Sequence, residues 1–147
     1  MKHNRGFFGI GIYHSNTQEN LGTLFRTAYN FQASYTYTIG RKYKTQSSDT
    51  VKSMKSIPHY HFLTGDDFVN NIPNGCRLIG VEINEESRPI KNFVHPERAC
   101  YLLGNESMGI PNSLLDQCYS ILELPGVNCH NVAVAGALCM FDRINKS

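Results

Sequence analysis

Short apolar runs that alternate with helix-like stretches are the feature that most constrains the fold of this chain. The runs have the length of buried strands, and most are closed by Gly, Asn or Pro. They cover residues 7–13, 35–39, 77–83, 100–103 and 120–124. Apolar strands separated by helices are typical of a parallel sheet that is covered on both faces. The sequence therefore predicts an α/β fold with a mostly parallel sheet flanked by helices.

The best-defined predicted helix follows the first strand. Asn16 and Glu19 have the spacing of an N-terminal capping box. Four apolar residues recur at i, i+3, i+4 and i+7 and are expected to face the core: Leu21, Leu24, Phe25 and Ala28. Gly22 and Arg26 lie four residues apart on another face, so Arg26 is expected to project toward whatever lies above the sheet.

Three further helices are predicted. The last and clearest covers residues 131–144, where four small residues permit close packing against a second helix: Ala133, Ala135, Gly136 and Ala137. Ser48 or Asp49 is placed to cap a short helix that runs through Val51 and Met54. Residues 64–68 have the composition of another brief helix.

Length and composition limit the class of protein. With 147 residues the chain is expected to form one domain, residues 1–147. A hydrophobic content of 41% and a formal net charge of +2 argue against a disordered or acidic-tail protein. Because no apolar run approaches the roughly 20 residues that span a bilayer, and no signal sequence is apparent, we expect a cytoplasmic protein with no membrane partner.

The cysteines indicate neither a disulfide framework nor a structural zinc site. There are five of them, an odd number, and none forms a Cys-x-x-Cys pair. We expect them to be small buried side chains, with Cys129 as the exception. His59 and His61 would share a face in a strand, but no third ligand has a recognisable spacing, so no metal site is predicted.

Two segments that follow apolar strands could bind a ligand. The first is the glycine-rich turn at residues 104–109, and the second is residues 122–132, which leads directly into the last helix. Loops at the carboxyl ends of parallel strands expose backbone groups to ligands in α/β proteins. The alternative for the first segment is a plain strand-to-helix turn, and Asn131 in the second could simply cap its helix.

A small basic cluster follows the second predicted strand. Arg41, Lys42 and Lys44 flank Tyr43, which places three positive charges beside one aromatic ring. Such a group suits a phosphate backbone with a stacked base. An ordinary solvated loop explains the same residues equally well, so the prediction that they bind RNA depends on the rest of the chain.

Three motifs occur in the order that characterises one enzyme family. They are Asn20-x-Gly22-x-x-x-Arg26, then Leu103-Gly104-Asn105-Glu106 with Gly109, then Leu124-Pro125-Gly126 followed by residues 131–135. Together they resemble the motifs of the SpoU (TrmH-like) branch of the knotted SPOUT methyltransferases. The resemblance extends over nearly the whole chain, and residues 41–75 match least.

The resemblance implies a fold and an activity that composition could not indicate. It implies a C-terminal trefoil knot in the α/β domain and a homodimer whose active sites lie at the subunit interface. It also implies transfer of a methyl group from S-adenosylmethionine to a ribose 2'-hydroxyl of tRNA or rRNA, without a metal. The alternative is a catalytically silent RNA-binding or assembly factor with the same fold, but the presence of Asn20, Arg26 and Glu106 together favours the enzyme.

The resemblance also assigns roles to residues. Arg26 would be catalytic, Asn20 would orient the ribose or the arginine, and Glu106 would help to position Arg26. The expected contacts of the methyl donor are Val81, Gly104, Asn105, Leu124, Pro125, Cys129, Asn131 and Val132. The chain departs from the family at Cys129, since serine is common two residues before the motif asparagine. A thiol is a weaker hydrogen-bonding group than a hydroxyl, so we expect Cys129 to contact the donor mainly through its backbone.

Overall fold

The computed structural model of the protein describes residues 6–41 and 56–147. In chain order they form β1 (Phe7–Tyr13), α1 (Gln18–Asn30), β2 (Tyr35–Ile39), β3 (His59–Phe62), α2 (Gly65–Asn70), β4 (Arg77–Val81), β5 (Arg88–Pro89), β6 (Arg98–Leu103), α3 (Asn112–Leu115), β7 (Ser120–Glu123) and α4 (Val132–Asn145). A single 3-10 turn, Ile90–Asn92, follows β5. Lys42, Lys44 and the helix predicted at residues 48–54 lie outside the described residues.

The strands form one seven-stranded sheet in the order β3-β2-β1-β6-β4-β7-β5. Each neighbouring pair in this sheet is parallel, from β1 with β2 and β6 to β5 with β7. The predicted parallel α/β fold is thereby confirmed. Because the strands are parallel, their carboxyl ends share one edge, where the loops after β1, β4, β6 and β7 meet.

The sheet separates two apolar cores. Alternate residues of β6 point to opposite faces, as in any strand. Ala99, Tyr101 and Leu103 join the core under α1 and α4, whereas Cys100 and Leu102 join the core with Phe68 of α2 and Leu114 of α3. Since both faces of the central strands are covered, their sequences are apolar without interruption.

Helices α1 and α4 pack closely on the same face of the sheet. The four residues expected to face the core from α1 are all buried. A Cβ atom at Gly136 of α4 would lie 2.4 Å from Leu24 Cδ1 of α1, so only glycine permits this approach. The predicted close packing of the last helix against a second helix is therefore confirmed, and the partner is α1.

Two predicted details need correction. The N-cap of α1 is Thr17 and not Asn16, since the Thr17 side chain accepts a hydrogen bond from the backbone N–H of Asn20. Asn16 instead donates its backbone N–H to Glu106, 90 residues further along the chain. The strand predicted at residues 77–83 ends at Val81, the last residue that pairs with β7. The brief helix predicted at residues 64–68 is confirmed as α2, with Thr64 as its cap.

Candidate active site

Residues from all three sequence motifs meet at the carboxyl edge of the sheet. Asn20 lies in the first turn of α1, Glu106 in the loop after β6, and Asn131 at the start of α4. The side-chain amide of Asn20 donates to Glu106 Oε1 at 3.3 Å, and its Oδ1 accepts from Asn131 Nδ2 at 2.9 Å. One asparagine thus links the other two motifs.

The Glu106 carboxylate is held by groups at the end of β1 as well. Ser15 Oγ donates to Oε1 at 2.6 Å, and the backbone N–H of Asn16 donates to Oε2 at 2.7 Å. Partial burial alone would raise the pKa of Glu106, but the hydrogen bonds from Ser15, Asn16 and Asn20 outweigh it and lower the pKa below its ordinary value. Glu106 is therefore a carboxylate at neutral pH.

Asn105 holds the turn that carries Glu106. Its Oδ1 accepts the backbone N–H groups of Ser107 and Met108, at 2.8 Å and 2.9 Å. Its side-chain amide donates to the His14 carbonyl and to Asn16 Oδ1. This residue was predicted to contact the methyl donor, and the structure places it where it joins the turn at residues 104–109 to the end of β1.

Glycines allow this turn to close. Asn105 and Gly109 exchange backbone hydrogen bonds of 3.1 Å and 2.8 Å across it. A Cβ atom at Gly104 would lie 2.6 Å from the Gly109 carbonyl carbon, and Gly109 itself has a φ of +71°, which favours glycine. Below the turn, Glu82 Oε2 accepts from the backbone N–H of Ile110 at 3.0 Å. The glycine-rich turn is thus a tightly specified structure.

Asn131 belongs to two structures at once. Its Oδ1 caps α4 by accepting from the backbone N–H groups of Ala133 and Val134. Its side-chain amide is therefore turned toward Asn20, to which it donates. The capping role that the sequence allowed for Asn131 is confirmed, and the same geometry connects the cap to the site.

The other predicted residues line this edge at different depths. Leu124 and Val132 are buried, Val81 and Gly104 are half-buried, and Pro125 and Cys129 are exposed. Among the cysteines, Cys129 is the exposed one, as expected, and Cys100 and Cys139 are buried, whereas Cys76 and Cys118 are only half-buried. Arg26 is exposed on α1, nearly two turns beyond Asn20, and Arg41 is exposed after β2. The described hydrogen bonds of Glu106 go to Ser15, Asn16 and Asn20.

Sequence reasoning missed three residues of the site: Ser15, Asn16 in its observed role, and Glu82. Ser15 is fully buried although it lies in a polar loop, and its partner Glu106 is 91 residues away. No local pattern signals such a pairing. Glu82 could have been found, because it directly follows a buried strand whose carboxyl end lies at the ligand-binding edge.

The histidines proposed and rejected as metal ligands have hydrogen-bonded partners. His59 Nδ1 is 2.8 Å from Thr36 Oγ1, and His61 Nδ1 is 2.7 Å from Thr38 Oγ1. Within residues 6–41 and 56–147, no group of three or more His, Cys, Asp or Glu side chains is placed to hold a metal ion. The same ranges contain no helix that is long and apolar enough to cross a membrane.

The fold is shared with solved enzymes that modify RNA. An AdoMet-bound rRNA methyltransferase from Sinorhizobium meliloti superposes with a TM-score of 0.85 at 22% identity, covering 97% of this chain and 57% of that chain. A TrmH/SpoU tRNA modifying enzyme from A. aeolicus superposes with a TM-score of 0.84 at 16% identity, covering 97% of this chain and 76% of the other. At these identities the comparison establishes a common fold.

Sequence comparison identifies the family. The chain matches the SpoU rRNA Methylase family over residues 8–141, and it belongs to that family. It is also 37% identical over 71 residues to the tRNA (guanosine(18)-2'-O)-methyltransferase TARBP1 of Mus musculus. That match covers 46% of this chain but only 4% of the mouse protein, so the chain corresponds to a small part of this relative.

Proposed function

We propose that this protein transfers a methyl group from S-adenosylmethionine to a ribose 2'-hydroxyl of tRNA or rRNA. The observation that carries the proposal is the hydrogen-bonded path from Glu106 through Asn20 to Asn131, which joins all three family motifs at one edge of the sheet. Membership of the SpoU rRNA Methylase family and the 2'-O-methyltransferase relative support the same activity. A silent RNA-binding factor would have no use for the complete path.

Asn20 and Arg26 are proposed to act on the ribose. The Asn20 side chain uses one amide hydrogen on Glu106 and one lone pair of Oδ1 on Asn131, so a second amide hydrogen remains to bind a ribose oxygen. Arg26 is exposed on the same helix. A guanidinium keeps its proton in proteins, so Arg26 would stabilise the negative charge that develops on the 2'-oxygen as it reacts.

Glu106 is proposed to position these groups. Its three described donors fix the carboxylate, and the carboxylate in turn fixes the Asn20 amide. A direct role of Glu106 in holding Arg26 stays a prediction. Because holding reactants in line provides much of the rate in such reactions, a rigid Asn20 contributes to catalysis even without proton transfer.

The residues at the sheet edge fit the methyl donor. Buried Leu124 and Val132 and half-buried Val81 would offer an apolar floor. Backbone polar groups of exposed Pro125 and Cys129 and of the turn at 104–109 would surround it. Few polar contacts around an apolar pocket are typical of nucleoside sites. Gly104, Asn105, Pro125, Cys129 and Asn131 complete the proposed contacts. When bound, S-adenosylmethionine supplies an electrophilic methyl group on its sulfonium, and the proposed reaction needs no metal.

A second copy of the chain is the proposed protein partner. Helix α4 exposes three large apolar side chains at i, i+4 and i+7: Val134 at 48%, Leu138 at 38% and Phe141 at 58%. An apolar stripe of this kind on a helix indicates an interface. We propose that it is covered in a homodimer, and that the loops leading into α4 form the trefoil knot typical of the family. RNA would approach over Arg41, with Lys42 and Lys44, in the cytoplasm.

The test is transfer of tritiated methyl from S-adenosylmethionine to bulk RNA purified from a strain that lacks this protein. Wild type is expected to label a ribose, and mapping the labelled nucleotide names the substrate. Arg26→Ala is expected to abolish labelling with nearly unchanged donor affinity, measured by calorimetry. Donor binding by both proteins without any label would contradict the proposed activity, and equal labelling by both would contradict the role of Arg26.

A further inference from the structure

The loop between β7 and α4 is held by one side chain. His130 Nε2 lies 2.7 Å from the carbonyl oxygen of Pro125 and closes residues 125–130 into a ring. In the described part of the chain, this is the one hydrogen bond that joins two residues of that segment. From it, and resting on the function proposed above, we infer that His130 is a positioning residue that holds this loop in the conformation that binds S-adenosylmethionine.

The chemistry of the contact fixes its direction. A carbonyl oxygen can only accept, so His130 must carry hydrogen on Nε2 and donate it to Pro125. The ring also packs on Gly126, where a Cβ atom would lie 3.0 Å from His130 Nε2. Gly126 has a positive φ of 156° that side chains rarely adopt. The absence of a side chain at Gly126 thus leaves room for the imidazole ring of His130.

The hydrogen bond between His130 and Pro125 lies in a part of the chain that is proposed to bind the methyl donor. Pro125 and Cys129, both proposed donor contacts, lie within the closed segment, and Asn131 follows it directly. Asn131 caps α4 and donates to Asn20, so its end of the loop is fixed. At the other end, within residues 6–41 and 56–147, the hydrogen bond described for Pro125 is the one from His130. Since Cys129 offers only a weakly hydrogen-bonding thiol, the imidazole provides the order that this exposed loop needs.

The experiment compares His130→Ala, His130→Gln and Val127→Ala in the full chain. Val127 is the matched control, because its side chain lies in the same loop and is fully exposed, at 101%. Donor affinity is measured by calorimetry, and methylation is measured over a range of donor concentrations. His130→Ala is expected to weaken donor binding by about 3- to 10-fold, the effect of losing one exposed hydrogen bond that orders a site. The KM for the donor should rise while kcat at saturation is kept.

Rescue separates the hydrogen bond from the bulk of the ring. The glutamine amide nitrogen can reach the Pro125 carbonyl in place of Nε2, so His130→Gln is expected to keep affinity within about 2-fold of wild type. Val127→Ala should behave as wild type. Loss of affinity in His130→Gln equal to that in His130→Ala would overturn the hydrogen-bonding role, and unchanged affinity in His130→Ala would overturn the inference.

A double-mutant cycle with Gly126 tests the packing. Gly126→Ala is expected to lower donor affinity, and to lower it less when His130 is already alanine, because the added methyl then meets no ring. Additive losses would contradict the proposed contact. If wild type binds the donor and labels RNA, and the His130 variants do the same equally well, the inference is refuted and the proposed function stands. Wild type that does neither refutes the proposed function, and the inference falls with it.

Discussion

Two polar clusters lie at opposite ends of β6 and differ in how far they are exposed. At the carboxyl end, the exposed Glu106 binds Ser15, Asn16 and Asn20, and Asn20 still has an amide hydrogen to offer. At the amino end, the buried Arg143 of α4 donates two hydrogen bonds to the chain leading into β6 and one to Tyr101. The comparison suggests a test: the exposed cluster is proposed to act on a substrate, and the buried cluster is expected to act on stability.

The cluster at the amino end of β6 consists of Arg143, Tyr101, His95 and Asp142, which hydrogen bonds link in that order. Arg143 Nη1 donates to the Pro96 carbonyl at 2.6 Å and to the Tyr101 hydroxyl at 3.2 Å, and Nη2 donates to the Glu97 carbonyl at 2.7 Å. The Tyr101 hydroxyl lies 2.6 Å from His95 Nδ1, and His95 Nε2 lies 2.7 Å from Asp142 Oδ2. Burial raises the pKa of Tyr101, although the charge and hydrogen bond of Arg143 act in the opposite direction, so its hydroxyl stays neutral. This cluster ties α4 to β6.

The largest expected effect comes from breaking the buried cluster. Arg143→Met should lower the free energy of unfolding by about 3 kcal/mol, because two carbonyl oxygens and the Tyr101 hydroxyl lose their donor in a buried place. Urea denaturation monitored by circular dichroism measures the change. Arg143→Lys keeps the charge but not the fork of donors, and should recover only part of the loss. A loss below about 1 kcal/mol in Arg143→Met would show that the cluster is not a stability element.

Breaking the exposed cluster should act on catalysis instead. In Glu106→Gln an amide NH2 would replace one carboxylate oxygen, so either the Asn16 N–H loses its acceptor, or the Asn20 amide and the Ser15 hydroxyl do. We expect kcat/KM to fall about 100-fold, the usual cost of a small misplacement of reacting groups. Stability should change by less than about 1 kcal/mol.

The control for this variant is Asp116→Asn, which removes the charge of an exposed carboxylate just before β7, at the amino edge of the sheet. It should retain wild-type methylation of RNA and wild-type unfolding. If Glu106→Gln loses as much stability as Arg143→Met, or keeps full activity, the two clusters would not differ in the way proposed.

The same contrast shows how much of the molecule can be predicted from its sequence. β1 and β2 match their predicted ranges to the residue, because an uninterrupted apolar run is itself the signal of a strand covered on both faces. β3 was not predicted as a strand, since its His-Tyr-His-Phe sequence is polar and it lies at the sheet edge. β5 has only two residues, too few to form any pattern.

The site was predictable in its members and not in its connections. The motifs named Asn20, Glu106 and Asn131, but which atom of each binds which partner depends on how strands 90 residues apart come together. The capping error is an example. Asn16 and Thr17 are both good caps, but the Asn16 side chain binds Asn105 and Ser107 in the loop after β6, so Thr17 caps α1. The local capping propensity of a residue cannot indicate a hydrogen-bonding partner that only the tertiary structure brings close.

The smallest expected effect concerns the protonation of His95 in the buried cluster. Burial lowers the pKa of His95 below 6.5, and the nearby Arg143 and Lys146 lower it further, although Asp142 acts in the opposite direction. In neutral His95, Nδ1 can accept a hydrogen bond from the Tyr101 hydroxyl, which itself accepts one from Arg143. Protonation of His95 would place a hydrogen on Nδ1 and remove that acceptor. The folded protein therefore favours neutral His95.

The sign of the resulting pH dependence follows from linkage. A histidine whose pKa is lower in the folded state binds its proton more readily when unfolded, so stability is complete above about pH 6.5 and falls as the pH drops below it. Burial first, and then the charge of His61, lower the pKa of His59 to about 4. His59 therefore makes stability depend on pH in the same direction, so His95→Gln must be compared with wild type at each pH. His95→Gln should lose less stability than wild type between pH 7 and pH 5, by up to about 1 kcal/mol. If urea denaturation shows the same dependence of stability on pH in His95→Gln and in wild type, the pH sensitivity lies elsewhere. The cluster at the amino end of β6 would then contribute through packing, without an electrostatic preference for neutral His95.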